Sequence, residues 1–323
     1  MIVRAYTFIL IACFLWSLNP VANKVALVDI AVPQLVFMRA VFAALILLAV
    51  ALYAGHRFRP KEIGWRPFVL GILDPGLTSL LFVTSLTVLS ASNTVLIMAL
   101  MPFSQSILGR MVLKEAFQSS VWKGGLLAVF GLALFFIGEE FNGSESLWGN
   151  ALLLTVFCLM AVSQLLTRKI MSSEIPTILV TSSQMVSASA VLLLYLLIFG
   201  DLDRPLQASS GTMMTMVYLV FSLAIPFFLY NQAMRHIPVG MASLLLVLII
   251  PFGFLFAAIF LGEEITMLKS SGAVLVMLGV ALPHFIQSRE KNLQHLAEIL
   301  KILSWSFVED SSLPAERLFE SAL

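Results

Sequence analysis

The sequence predicts an all-α polytopic membrane protein with ten transmembrane helices arranged as two inverted five-helix repeats. Three observations carry this. The 323 residues are 60% hydrophobic and only 11% charged, with a mean hydropathy of +0.99, against roughly 45–50% apolar and 25% charged in a soluble domain. Apolar runs of about 20 residues, the length that crosses a bilayer core as a helix, recur along the chain. Punctuating residues of the first half return in the second half at a nearly constant offset.

Taken in order, the runs fall near 6–27, 34–54, 67–89, 91–113, 121–139, 148–170, 177–199, 212–234, 239–261 and 267–287. The first has no A-x-A-like cleavage site and reads as a retained span. Ten spans leave both termini on one side. The segments "GHRFRPKEIGWR", "GRMVLKEAF", "TRK", "MRH" and "QSREK" follow the even-numbered runs and are basic, whereas "VDIAVP", "GEEFNGSES" and "GDLDRP" between them are mostly acidic. The positive-inside rule then places both termini of this multi-pass chain in the cytoplasm, and the cell (inner) membrane is the expected location. The net charge of +1 points to no nucleic-acid partner. Cys13 and Cys158 both lie in apolar runs and read as inert small hydrophobes, without disulfide or metal site.

The halves echo each other. "MPFSQSILGRMVLKEAF" near the end of the fourth run is matched by "IPFGFLFAAIFLGEEIT" near the end of the ninth. Glu115 with Glu263, Gly124 with Gly272 and Gly131 with Gly279 share an offset of 148 residues, and Pro102 with Pro251 is one residue off it. "NPVANK" in the first run has a weaker echo in "SQLLTR" in the sixth. Five spans per half is an odd number, so the second copy enters the membrane in the opposite sense, the layout by which secondary transporters alternate access. The expected units are residues 1–140 and 141–288, followed by a tail at 289–323. In that tail Leu293, Leu296, Leu300 and Leu303 recur at helical spacing beside Lys291, Glu298 and Lys301, as in an amphipathic helix lying on the cytoplasmic membrane surface.

Polar residues inside the runs are candidate site residues, because buried polar groups in lipid are costly. Asp74, in "ILDPGL", either faces a wet cavity, where it is a candidate coupling acid, or caps the second half of a helix broken at Pro75. Asn19, Gln105, Gln164, Gln184, Tyr230 and Asn231 are candidate solute ligands, with plain interhelical hydrogen bonding the alternative for the amides. Tyr230, Asn231 and Gln232 are consecutive, so at most two of them share a helix face. Lys24 and Arg39 either bind an anionic group or reach for the headgroups. Glu115 and Glu263, at helix ends, read as structural, completing loop hydrogen bonds. Pro20, Pro75, Pro102, Pro226 and Pro251 are expected to break or kink their helices. There is no His, Ser and Asp set, metal-ligand spacing or glycine-rich phosphate loop, which argues against an enzyme, a cofactor and ATP-driven transport.

"LWSLNPVANK", "VPQLVFMR" and "FLGEEITMLKSSGAVLVMLGV" resemble the EamA-type permeases of the drug/metabolite transporter superfamily, over about residues 6 to 287. The chain departs from that pattern at Lys114, where a glycine is common before the glutamate. The resemblance implies ten helices, a central polar cavity between the halves, and export or exchange of small metabolites, amino acids or drugs. Trp16, in the first of these motifs, joins the candidate solute ligands, and Lys24, Arg39, Pro102, Glu115, Pro251 and Glu263 are candidate gating or structural residues. The expected partners are a small-molecule solute and membrane lipids, with the chain a monomer or homodimer. A membrane receptor or scaffold, or a lipid-handling protein, is the alternative reading; two opposed repeats favour transport.

Overall fold

A computed structural model describes residues 2–88, 101–135, 147–200, 209–261 and 266–286. The tail, most of the first half of the fourth run and Glu263 lie outside the described residues. All regular structure among those described is helical.

The first span is built from α1 (Ile2–Ser17) and α2 (Asn19–Ala26), parted at Leu18. Pro20 sits in the first turn of α2, where a missing N–H is tolerated. α3 (Val32–Tyr53) starts the same way on Pro33. A short α4 (Pro60–Ile63) in the basic loop ends on Gly64, whose φ of +80° suits glycine. α5 (Arg66–Gly71) widens into a π-helical stretch, Ile72–Leu77, before α6 (Thr78–Ser85). α7 (Met101–Leu113), α8 (Ser119–Phe135), α9 (Leu147–Met171), α10 (Thr177–Phe199) and α11 (Ser210–Ala233) follow. The ninth run divides into α12 (Val239–Leu246) and α13 (Ile249–Leu261), and α14 (Met267–Ile286) comes last among the described helices.

Among the described residues eight helical stretches are long and apolar enough to cross a membrane, and α8 is a shorter apolar helix. At Pro226 the helix does not break: α11 runs through it. The proline is itself buried among packed neighbours, where a membrane helix accommodates the lost hydrogen bond without ending. By contrast the ninth run is interrupted at Val247 and Leu248, just before Pro251.

Partners along the chain are seldom neighbours in space. α1 packs on α11, α6 on α9, α3 on α10 and α7 on α12, while α8 meets α14 through glycines. Exchanging the two halves of the chain returns the same set of pairs. At the α8–α14 crossing a Cβ on Gly124 would lie 2.3 Å from the Gly279 carbonyl oxygen, and one on Gly131 would lie 2.8 Å from that of Gly272. The helices are therefore antiparallel, and each glycine of one pair meets the opposite member of the other, the reciprocal pattern of a two-fold contact. Such close backbone approach is how membrane helices gain packing where lipid supplies no hydrophobic drive.

Outward faces carry Leu194, Leu197, Ile198, Phe199, Met213 and Met214, all exposed and suited to lipid. Outside the spans, Asp29 joins the loop after α2 to the start of α11. Its Oδ2 accepts from the Thr212 hydroxyl and, at 3.1 Å, from the Ser209 N–H. These bonds hold the Asp29 carboxyl below the usual carboxylate range, the Thr212 hydroxyl most of all.

Candidate functional site

The break in the first span creates the site. Pro20 has no N–H to offer the turn before it, and side chains from other helices fasten the interruption. The Tyr218 hydroxyl donates to the Leu15 carbonyl, and Ser222 Oγ donates to Asn19 Oδ1 at 2.8 Å. Asn23 Nδ2 donates to the Asn19 carbonyl at 2.7 Å, and Arg39 Nη1 donates to Asn23 Oδ1 at 2.8 Å. The broken helix is thus tied to α11 on one side and to α3 on the other.

In the third span Asp74 adopts an extended conformation (φ −144°, ψ 116°) inside the π-helical stretch, and its bond to Pro75 is cis. Its Oδ1 accepts from the Thr78 hydroxyl at 2.6 Å. No backbone N–H donates to this carboxylate among the described residues, so the capping expectation has no bond behind it. Asp74 is only partly buried, since it opens onto the cavity.

That cavity, of about 170 Å³, is walled by Trp16, Asn19, Asn23, Arg39, Asp74, Thr78, Gln164, Phe227, Tyr230 and Ser243, with apolar residues between them. It is smaller than the roughly 300–1,000 Å³ of drug-sized sites. Elements of both halves of the chain line it. Arg39 stands seven residues into α3, about 10 Å from the helix start. Trp16 lies edge-on to Phe227, with centroids 5.3 Å apart, and 5.9 Å from the Tyr230 ring. The Tyr230 hydroxyl is buried without a hydrogen-bond partner among the described residues, and Ser243 Oγ donates to Gln164 Oε1 at 2.7 Å.

The structure brings together Trp16, Asn19, Asp74, Gln164 and Tyr230 of the expected ligands. Gln105, Gln184 and Asn231 are elsewhere, in helix contacts. Gln105 is fully buried and its Nε2 donates to the Ala161 carbonyl at 3.0 Å. Asn231 Nδ2 donates to Gln184 Oε1 and to Thr181 Oγ1. Gln232 accepts from the Thr177 hydroxyl, so one residue of the Tyr230 triplet faces the cavity. Among the gating or structural residues, Arg39 lies on the cavity wall, Lys24 is exposed away from it, Pro102 is buried within α7, and Pro251 is buried in the first turn of α13. Glu115 gathers three helix ends. It accepts from Arg168 Nε at 2.8 Å and from the Val239 N–H at 3.0 Å, and Arg168 also donates to the Met234 carbonyl.

Sequence reasoning missed Asn23, Thr78 and Ser243 as cavity residues. For Asn23 a signal existed: it lies four residues after Asn19, one turn along the same face.

The chain is 24% identical over 298 residues to an uncharacterized transporter of Haemophilus influenzae, covering 86% of this chain and 93% of that protein. It is 25% identical over 213 residues to an uncharacterized transporter of Methanothermobacter thermautotrophicus, covering 65% and 61% respectively. A crystal structure of a protein at 17% identity superposes with a TM-score of 0.74 over 87% of this chain and 98% of that one, a likeness of fold. The model of the EamA-like transporter family matches twice, at residues 3–137 and 147–283. On that match the chain belongs to the EamA-like transporter family, a multi-pass membrane transporter.

Proposed function

We propose that the chain is a secondary exporter or exchanger of small polar or amphipathic metabolites, such as amino acids or organic cations. It works in the cell (inner) membrane with both termini cytoplasmic. Its ten spans form two inverted repeats that rock about the cavity and open it to each side in turn. One observation carries the reading: a cavity bearing Asp74 and Arg39 lies between the two halves, at the breaks in the first and third spans. Irregular backbone at membrane depth is tolerated where it lines such a cavity. Support for the repeats comes from the double family match and from the helix pairs that survive exchange of the halves. The Glu115–Arg168–Val239 junction would then hold one face shut in one of the alternating states.

The test is a thermal-shift screen of the purified protein against amino acids, organic cations, nucleosides and vitamins, followed by exchange of each stabilising solute in proteoliposomes. A bound solute at about 100 times its Kd stabilises by about 2.7 kcal/mol. At least one solute should stabilise the protein and exchange faster than in protein-free vesicles. No exchange of any solute contradicts the reading.

A further inference from the structure

We infer that the cavity takes a solute carrying both a cationic and an anionic group on an apolar body, the anionic end on Arg39 and the cationic end toward Asp74. The inference rests on the cavity being the transport site, and narrows its solute.

Two opposite charges border one small and largely apolar space. Neither makes an ion pair among the described residues, where the pairs are Arg59 with Glu62 and Arg168 with Glu115. Each instead has one uncharged partner. Asn23 accepts from Arg39 Nη1 and holds the guanidinium in place, and among the described residues no other acceptor meets it. The Thr78 hydroxyl donates to Asp74 Oδ1, and among the described residues no donor meets Oδ2. Each charge at this depth costs about 2.5–3.5 kcal/mol on insertion scales, so both call for compensation. A solute with one charge compensates one of them and leaves the other facing a like charge or nothing.

A solute with both charges satisfies the two at once. The guanidinium offers a planar fork of donors that matches a carboxylate. Asp74 offers an acceptor for an ammonium, and Trp16, with Phe227 edge-on to it, supplies an aromatic wall for an apolar body and for cation–π contact. Asn23 acts as the positioning residue for Arg39.

The test uses purified full-length protein and two matched sets of probes. One set is leucine, leucine methyl ester and N-acetylleucine; the other is 6-aminohexanoate, hexylamine and hexanoate. Binding is read by equilibrium dialysis, alongside protection of a Tyr230→Cys thiol from a maleimide. In at least one set the doubly charged probe should bind on the order of 10- to 100-fold tighter than both singly charged analogues, the range expected for a charged hydrogen bond. Arg39→Gln should erase its advantage over the amine, and Asp74→Asn its advantage over the acid. The wild-type comparison decides even where a variant does not fold. The inference is overturned if a singly charged analogue binds as tightly in both sets, or if neither doubly charged probe binds. Protection of the thiol by a singly charged solute alone overturns it while leaving the cavity as the transport site. Absence of protection by every solute, those of the wider screen included, removes the transport reading as well.

Discussion

An Asp74→Asn protein is expected to fold and insert like the wild type yet lose pH-dependent transport by at least roughly tenfold, the factor that about 1.4 kcal/mol represents. Among the described residues the side chain's one bond is the Thr78 hydroxyl donating to Oδ1, and an asparagine oxygen can accept that bond. Nothing in the backbone depends on the carboxylate among the described residues, so the fold loses little. Asparagine cannot exchange a proton, however, and an acid on the wall of an alternating cavity is placed to take one up on one side and release it on the other. Proton-gradient-driven uptake into proteoliposomes measures this. Wild-type rates in the asparagine variant would end the case for Asp74 as the coupling acid.

The largest effect on stability is expected at the crossing of α8 and α14. A Cβ on Gly124 would stand 2.3 Å from the Gly279 carbonyl oxygen and 3.0 Å from Pro283, and one on Gly279 would stand 2.6 Å from the Gly124 oxygen. The obstacle is backbone on a facing helix, which yields only if the helices separate along their shared seam. Overpacking typically costs 1–3 kcal/mol, and Gly124→Ala is expected at or above the upper end, about 3 kcal/mol. Gly253→Ala is the control, because among the described residues the nearest atom its Cβ would meet is the Ser17 carbonyl oxygen, at 3.4 Å. Thermal unfolding of the two variants in one detergent should separate them clearly. Equal stabilities would show that the glycine contact does not hold the halves together.

The sequence made some levels of this structure legible and hid others, for physical reasons. Length and hydrophobicity alone disclose a spanning helix, because lipid forces every backbone group to bond within its own segment. Breaks were visible where Asn19 and Pro20, or Asp74 and Pro75, interrupt an apolar run. The paired glycines were visible through their common offset. The faces of the helices were not. α3, α10 and α11 are apolar all round, since one side meets lipid and the other meets protein, so no periodicity says which residues turn inward. Hence Arg39 could not be told from a headgroup anchor. For the same reason Gln164, on the cavity, looks in sequence like Gln105 and Gln184, which bond to neighbouring helices. Whether a proline ends its helix depends on its packing, which is long-range, and α11 continues through Pro226.

The central claim, that a solute crosses through this cavity by alternating access, is tested most directly by two-sided labelling. A single cysteine replaces Tyr230 in a Cys13→Ala, Cys158→Ser background, and an impermeant maleimide is added to either face of oriented proteoliposomes. The account predicts reaction from both faces, slowed by a transported solute, while a cysteine at the buried, cavity-remote Gln105 reacts from neither. Reaction of the Tyr230→Cys thiol from one face only, under every solute and gradient condition, would contradict it.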